Sequence, residues 1–327
     1  MEDWKLAEIL GLVLPFFGLI FLGFFVARLV RQPLEALGWM NVFIVYVALP
    51  ALFFQLLSRT PIERLTEWGY IFATVFSTYA MFALMFAGSV ILSRGEIAES
   101  TIKGLAAAYG NIGYMGPGVA LLAFGEEAAV PVALIFCFEN IMHFAIAPTM
   151  MALSGGDRRS PGALALEVAR KIALHPFIIA TAVGVAAAAV QFVPPEPVSR
   201  LLEMLARAAA PCALFAMGVT LALRPLKRVP TAMAPIASIK LVLHPIVCWV
   251  MLSLVGDFDP VWVYTAVLLA ALPTATNVFV IAQQYGVWVE RASASVLITT
   301  VMSVFTVTGL LYLIKSGLLP ADLFPGS

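Results

Sequence analysis

Apolar segments about as long as a bilayer core is thick follow one another through nearly the whole chain, with only short polar loops between them. A helix needs about 20 apolar residues to cross the hydrocarbon. Ten such spans are predicted, at 6–28, 37–58, 67–93, 102–124, 128–154, 168–192, 199–223, 232–256, 260–285 and 289–316. In a chain of 327 residues, little is left for a soluble domain. With 62% hydrophobic and 12% charged residues and a mean hydropathy of +0.98, the composition is that of an all-α integral membrane protein. The first span follows Glu2, Asp3, Lys5 and Glu8 and lacks a basic leader, so it reads as a retained helix rather than a signal peptide.

Charge sets the orientation and narrows the partners. The formal net charge is zero and no basic run occurs, so nucleic acid has no electrostatic footprint here. With the N-terminus outside, the inner loops hold 12 Lys and Arg: Arg28, Arg31, Arg94, Lys103, Arg158, Arg159, Arg170, Lys171, Arg224, Lys227, Arg228 and Arg291. The outer loops and tails hold 6: Lys5, Arg59, Arg64, Arg200, Arg207 and Lys315. The excess predicts both termini outside, in a bacterial inner (cytoplasmic) membrane. Cys137, Cys212 and Cys248 all lie in apolar spans, which argues against a disulfide framework or a zinc site. No cofactor or metal is expected.

The polar linker from Ser154 to Pro161 divides the chain nearly in half and invites a search for a repeat. Pro15 and Pro176, Pro50 and Pro211, and Gly125 and Gly286 are each 161 residues apart. This one lag aligns spans one to five with spans six to ten. Five spans per unit is an odd number, so the second unit enters the membrane upside down. The expected architecture is a 5+5 inverted repeat, with units 1–161 and 162–327.

Two of the spans are interrupted. Asn111-Ile-Gly113-Tyr-Met115-Gly116-Pro117-Gly118 breaks the fourth, and Leu272-Pro273-Thr274-Ala-Thr276-Asn277 breaks the ninth. In hydrocarbon a broken helix survives only where protein or a water-filled cavity receives its backbone groups, and paired breaks point to a transporter's binding site. If the two breaks cross, the half-helix N-termini offer positive dipole ends and N–H groups to an anion. Asn111, Thr274, Thr276 and Asn277 would add uncharged hydrogen bonds, which suits a carboxylate. Local satisfaction of the broken backbone is the alternative role for the same side chains.

Glu139 and Lys240 are the only acid and the only Lys or Arg placed deep in a span. A central charge costs about 2.5 to 3.5 kcal/mol on insertion scales, so each calls for a function and a partner. They are expected to balance each other. Asn140 and His143 share a face with Glu139, and Lys240 and His244 stand four apart on one helix. Glu139 or a histidine could exchange a proton, or Glu139 and Lys240 could be a packing ion pair. His175-Pro176 and His244-Pro245 read as kink chemistry.

All five aspartates fall outside the predicted spans, so an intramembrane aspartyl dyad is absent. No His-Glu-x-x-His, Gly-x-Ser-x-Gly or Walker loop occurs, and the chain is not expected to be an enzyme.

The residues around both breaks resemble those of the auxin efflux carrier family, the bacterial and plant transporters that include the PIN carriers. Asn111 to Gly116, running to Phe124-Gly125, is similar to the family's fourth-helix motif. Leu272-Pro273 through Val278-Phe279-Val280 to Gln284-Tyr285-Gly286 is similar to its ninth-helix motif, and Lys240 to Pro245 to its eighth. The family often has Gly-x-Pro where this chain has Gly116-Pro117-Gly118.

The resemblance implies a sodium/proton-antiporter-like (bile-acid symporter/PIN) fold of ten helices with the broken helices 4 and 9 crossed. It implies a scaffold of helices 1, 2, 6 and 7, a transport domain of helices 3–5 and 8–10, and elevator-type movement of an organic anion. Asn111 matches the family's substrate-contacting Asn. The expected function is transport of small mono- or dicarboxylates, auxin-like acids included, driven by potential or by a coupled ion. The expected site comprises Asn111, Gly113, Met115, Gly116, Pro117, Pro273, Thr274, Thr276 and Asn277. Coupling or charge balance falls to Glu139, Lys240, His143, Gln283 and Gln284. A sodium-coupled carrier of the bile-acid symporter type and an anion channel are the alternatives. A homodimer through the scaffold helices is the expected assembly.

Overall fold

A computed structural model describes residues 3–155, 160–223 and 229–324. Arg158, Arg159, Arg224, Lys227 and Arg228, all counted toward orientation, lie outside the described residues, as does the middle of the Ser154–Pro161 linker.

The described chain is helical. Its helices are α1 (Asp3–Val30), α2 (Leu34–Ser58), α3 (Trp68–Leu92), α4 (Ile97–Ala108), α5 (Gly116–Phe124), α6 (Ala129–Leu153), α7 (Pro161–Ala173), α8 (Pro176–Ala189), α9 (Glu196–Leu223), α10 (Met233–Val255), α11 (Pro260–Ala270), α12 (Thr276–Tyr285) and α13 (Val289–Lys315). Among the described residues, six segments are long and apolar enough to cross a membrane: α2, α3, α6 with its leading turn, α9, α10 and α13. Shorter apolar helices are Leu14–Val30, α8 and α11. The protein is therefore an all-helical integral membrane protein.

Three predicted spans are not single helices. The fourth divides into α4 and α5 and the ninth into α11 and α12, as their Gly, Asn and Pro content leads one to expect. The sixth, predicted as continuous over 168–192, is a correction. It divides into α7 and α8, because Pro176 cannot continue the ladder and holds His175 extended at φ −71° and ψ 129°. α4 also begins earlier than predicted. Lys103, assigned to a loop, lies on that helix and pairs with Glu99 at 2.8 Å.

Two compact units are defined by their internal packing: Met1–Trp68, Tyr114–Cys137 and Ala173–Pro225 form the first, and Gly69–Gly113, Phe138–Ile172 and Leu226–Ser327 the second.

In the first unit α1 and α9 touch backbone to backbone. A Cβ on Gly218 would strike the carbonyl of Ile20, and one on Gly23 would strike that of Phe215. Small residues at such crossings let helices gain dispersion contacts where lipid supplies no hydrophobic drive. Phe53 of α2, Phe136 of α6 and Phe177 of α8 form an aromatic cluster in the same unit, with Phe53 and Phe136 stacked at 4.8 Å.

The second unit is built around an alanine-rich α4. Ala106, Ala107 and Ala108 are buried among Met81, Phe82, Ala237, Val278 and Ala292. α10 contains a π-turn at Ile239–Leu243, just ahead of His244-Pro245. The wider turn absorbs the hydrogen bond that the proline cannot donate, and it leaves Lys240 fully buried.

Candidate functional site

The site grows out of the two breaks. Tyr109 ends α4 in an extended conformation at φ −71° and ψ 98°, and Ala275 precedes α12 at φ −65° and ψ 143°. Two extended stretches have open donors and acceptors, and here they satisfy each other. The Asn111 amide donates to the Pro273 carbonyl and the Ala275 amide to the Tyr109 carbonyl, both at 2.8 Å. Gly110 and Thr274 thus form an antiparallel bridge between the breaks. Thr274 is held twice more: its hydroxyl donates to the Ala106 carbonyl at 2.7 Å, and its amide donates to the Thr299 hydroxyl at 3.1 Å. Buried backbone without such partners would cost several kcal/mol per group in hydrocarbon.

Neither Met115 before α5 nor Ala275 before α12 caps its helix with a side chain. The far ends of these half-helices close on glycine, Gly125 at φ 77° and Gly286 at φ 67°, which side chains other than glycine's rarely tolerate.

Asn277 is half-buried on the first turn of α12, and its side-chain amide donates to the Tyr109 hydroxyl at 2.9 Å. That hydroxyl donates in turn to Asn140 Oδ1 on α6 at 2.7 Å. Asn111 is buried beside the bridge, and Thr276 is half-buried. Of the predicted residues, Asn111, Gly113, Pro273, Thr274, Thr276 and Asn277 belong to the second unit, while Met115, Gly116 and Pro117 belong to the first.

Glu139 and Lys240 are both buried but do not touch. Thr78 of α3 donates to Glu139 Oε1 at 2.7 Å and lies 3.0 Å from His244 Nε2. Lys240 Nζ lies 2.9 Å from His244 Nδ1 and donates to the Ala270 carbonyl, at the end of α11, at 2.5 Å. A Cβ on Gly110 would sit 3.2 Å from that ammonium, so glycine keeps the bridge and the lysine head together.

His143 stands to one side. Its Nδ1 lies 2.6 Å from the Glu139 carbonyl and 2.5 Å from the Tyr79 hydroxyl, and its buried Nε2 has no hydrogen-bond partner among the described residues. Gln283 and Gln284 are exposed on the last turn of α12 and are not joined to this cluster.

Sequence reading missed Thr78, Tyr109 and Thr299, whose polar atoms are legible only as rare hydroxyls in apolar helices. It took His244 for a kink residue. The four-residue spacing from Lys240 was the available signal for its second role.

Buried polar clusters at paired helix breaks, within a chain of membrane-spanning helices, define the class as a membrane transport protein. The chain belongs to the family described as Membrane transport protein, that of the auxin efflux carriers, whose model matches residues 8–311. It is 67% identical over 320 residues, 98% of this chain and 100% of the other, to a Rhizobium meliloti (strain 1021) protein bearing the name "Putative malonate transporter".

Proposed function

We propose that the protein carries small carboxylates, with malonate and similar dicarboxylates foremost, across the bacterial inner membrane by alternating access. The observation behind this reading is the Gly110–Thr274 bridge. It satisfies the inner backbone of both breaks and holds Asn111 and Asn277, the two amides offered to a ligand, on either side of it. Their donors are neutral and fixed, which suits an anion that must be bound and then released. The name of the Rhizobium relative supports a dicarboxylate.

In this reading Asn111, Gly113, Thr274, Thr276 and Asn277 meet the substrate with Met115, Gly116, Pro117 and Pro273 shaping the breaks. Ten membrane passages form two inverted repeats, 1–161 and 162–327, with both termini outside. The lag of 161 between Gly125 and Gly286 supports the repeat, since each ends the second half of a broken helix at positive φ. The predicted scaffold helices 1, 2, 6 and 7 stay in place, as a homodimer, while helices 3–5 and 8–10 move. The grouping of α1, α2, α8 and α9 in one unit supports this division, although α5 and the first part of α6, through Cys137, group with them.

The test is uptake of labelled malonate into proteoliposomes, with unlabelled mono- and dicarboxylates as competitors and with internal malonate to drive counterflow. Saturable uptake with counterflow is expected. Uptake no greater than in empty liposomes overturns the reading, and non-saturable flux without counterflow replaces it with a channel.

A further inference from the structure

Lys240, His244, Thr78 and Glu139 form one unbroken chain of side-chain contacts at 2.9, 3.0 and 2.7 Å, all within the second unit. Hydrogen-bond valence dictates its polarity. The Thr78 hydroxyl has one proton, and when that proton goes to the Glu139 carboxylate the oxygen must accept from His244 Nε2–H. His244 Nδ1 then carries the lone pair and accepts from the Lys240 ammonium. A neutral histidine in one defined tautomer therefore links a buried cation to a buried anion.

The same contacts allow the opposite polarity. Lys240 passes a proton to His244 Nδ1, His244 Nε2 passes its proton to Thr78 Oγ1, and Thr78 passes its original proton to Glu139 Oε1. Three N–H or O–H bonds break and three form. The ammonium and carboxylate become an amine and a carboxylic acid, and the imidazole is neutral before and after, in its other tautomer. No heavy atom has to leave its partner.

We propose that these four residues are a proton-transfer chain and that the proton is the ion coupled to substrate movement; this rests on the transport reading above. The Lys240 head sits at the break, on the Ala270 carbonyl and beside Gly110. An anion bound there favours the polarity with the charged ammonium. When the anion leaves, two separated charges in a low-dielectric interior favour the neutral polarity. With the anion bound and Lys240 charged, the Glu139 carboxylate takes one proton from solution on the loading side. When the anion leaves, Glu139 returns that proton to solution on the release side and the chain refills the carboxylate from Lys240, so one proton crosses with each anion.

The surrounding groups that can titrate are Tyr70 and Tyr79 on α3, Tyr109 at the first break, His143 on α6 and Cys248 on α10. Tyr70 and Tyr79 lie near Glu139, Tyr109 lies near Tyr79, and His143 and Cys248 lie near both Glu139 and Lys240; the hydrogen-bonded side-chain path described between the two runs through His244 and Thr78.

Thr78→Val tests the chain because it keeps the shape, changes no charge and removes the one hydroxyl that joins His244 to Glu139. In proteoliposomes with the membrane potential clamped, an imposed pH gradient should accelerate labelled malonate uptake by wild type. In Thr78→Val this acceleration should fall by about tenfold, as loss of one hydrogen-bond link implies, while malonate counterflow is retained; Thr78→Ser should restore it. Wild-type uptake that ignores the pH gradient while counterflow proceeds overturns the proton chain and leaves the transport reading intact. So does a full gradient response in Thr78→Val.

Infrared difference spectra of the purified protein across pH give a readout that needs no transport. A carboxylic-acid carbonyl band absent in Glu139→Gln should shift in its titration when Thr78 is replaced by Val. An unmoved band overturns the chain even if malonate is not a substrate.

Discussion

The amide of Asn111 donates to the carbonyl of Pro273 over 2.8 Å, so the first break is tied by main chain to the residue that makes the second. The link does not use the Asn111 side chain. Asn111→Ala keeps this main-chain link, and malonate affinity should fall about tenfold, the scale of one lost hydrogen bond to a charged group. Asn277→Ala should lose a similar factor. Equilibrium binding of labelled malonate to detergent-solubilised protein checks both, and unchanged affinity in the two variants would sink the anion site.

Tyr109→Phe removes the hydroxyl that accepts from Asn277 and donates to Asn140. One buried and one half-buried amide then lose their shared partner, at a cost of about 1–3 kcal/mol. A lower melting temperature and weaker malonate binding are expected together. If binding is lost with no change in stability, the hydroxyl contacts substrate rather than bracing Asn277.

Lys240→Ala strips the donor from His244 Nδ1 and from the Ala270 carbonyl and leaves Glu139 without a counter-charge. Breaking a buried charge pair on one side costs about 3–5 kcal/mol. Adding Glu139→Gln should recover part of the loss in a thermal-unfolding series. Simple additivity of the two single losses would mean that the residues do not communicate through His244 and Thr78.

Gly218→Val places a side chain against the Ile20 carbonyl, where α1 and α9 meet backbone to backbone. Neither helix can give way without separating, and overpacking of this kind costs about 1–3 kcal/mol or more. The monodisperse fraction on size-exclusion chromatography should drop sharply. Gly11→Ala, at a position with no neighbouring atom within 4 Å of the added carbon, is the control and should behave as wild type.

Much of the frame was legible in the residues because a membrane removes choices. Without water, apolar length forces helices, and a run containing Pro273 or the glycines around Asn111 must break, so both interruptions follow from the residues alone. The division at His175 was harder to see, since a proline inside an apolar span serves equally as a kink or as a helix start; here Pro176 begins a separate helix.

By itself the sequence determined the helical membrane class, the two breaks and the pair of buried charges, because each follows from the cost of polar groups in hydrocarbon. Tertiary structure alone decided what satisfies those groups. Asn111 meets Pro273 across 162 residues of chain, and Lys240 reaches Glu139 only through His244 and a threonine on a third helix. Hydrogen-bond partners are chosen by ångström-scale distance and direction between helices, and no periodicity within one helix encodes where another will place its hydroxyl.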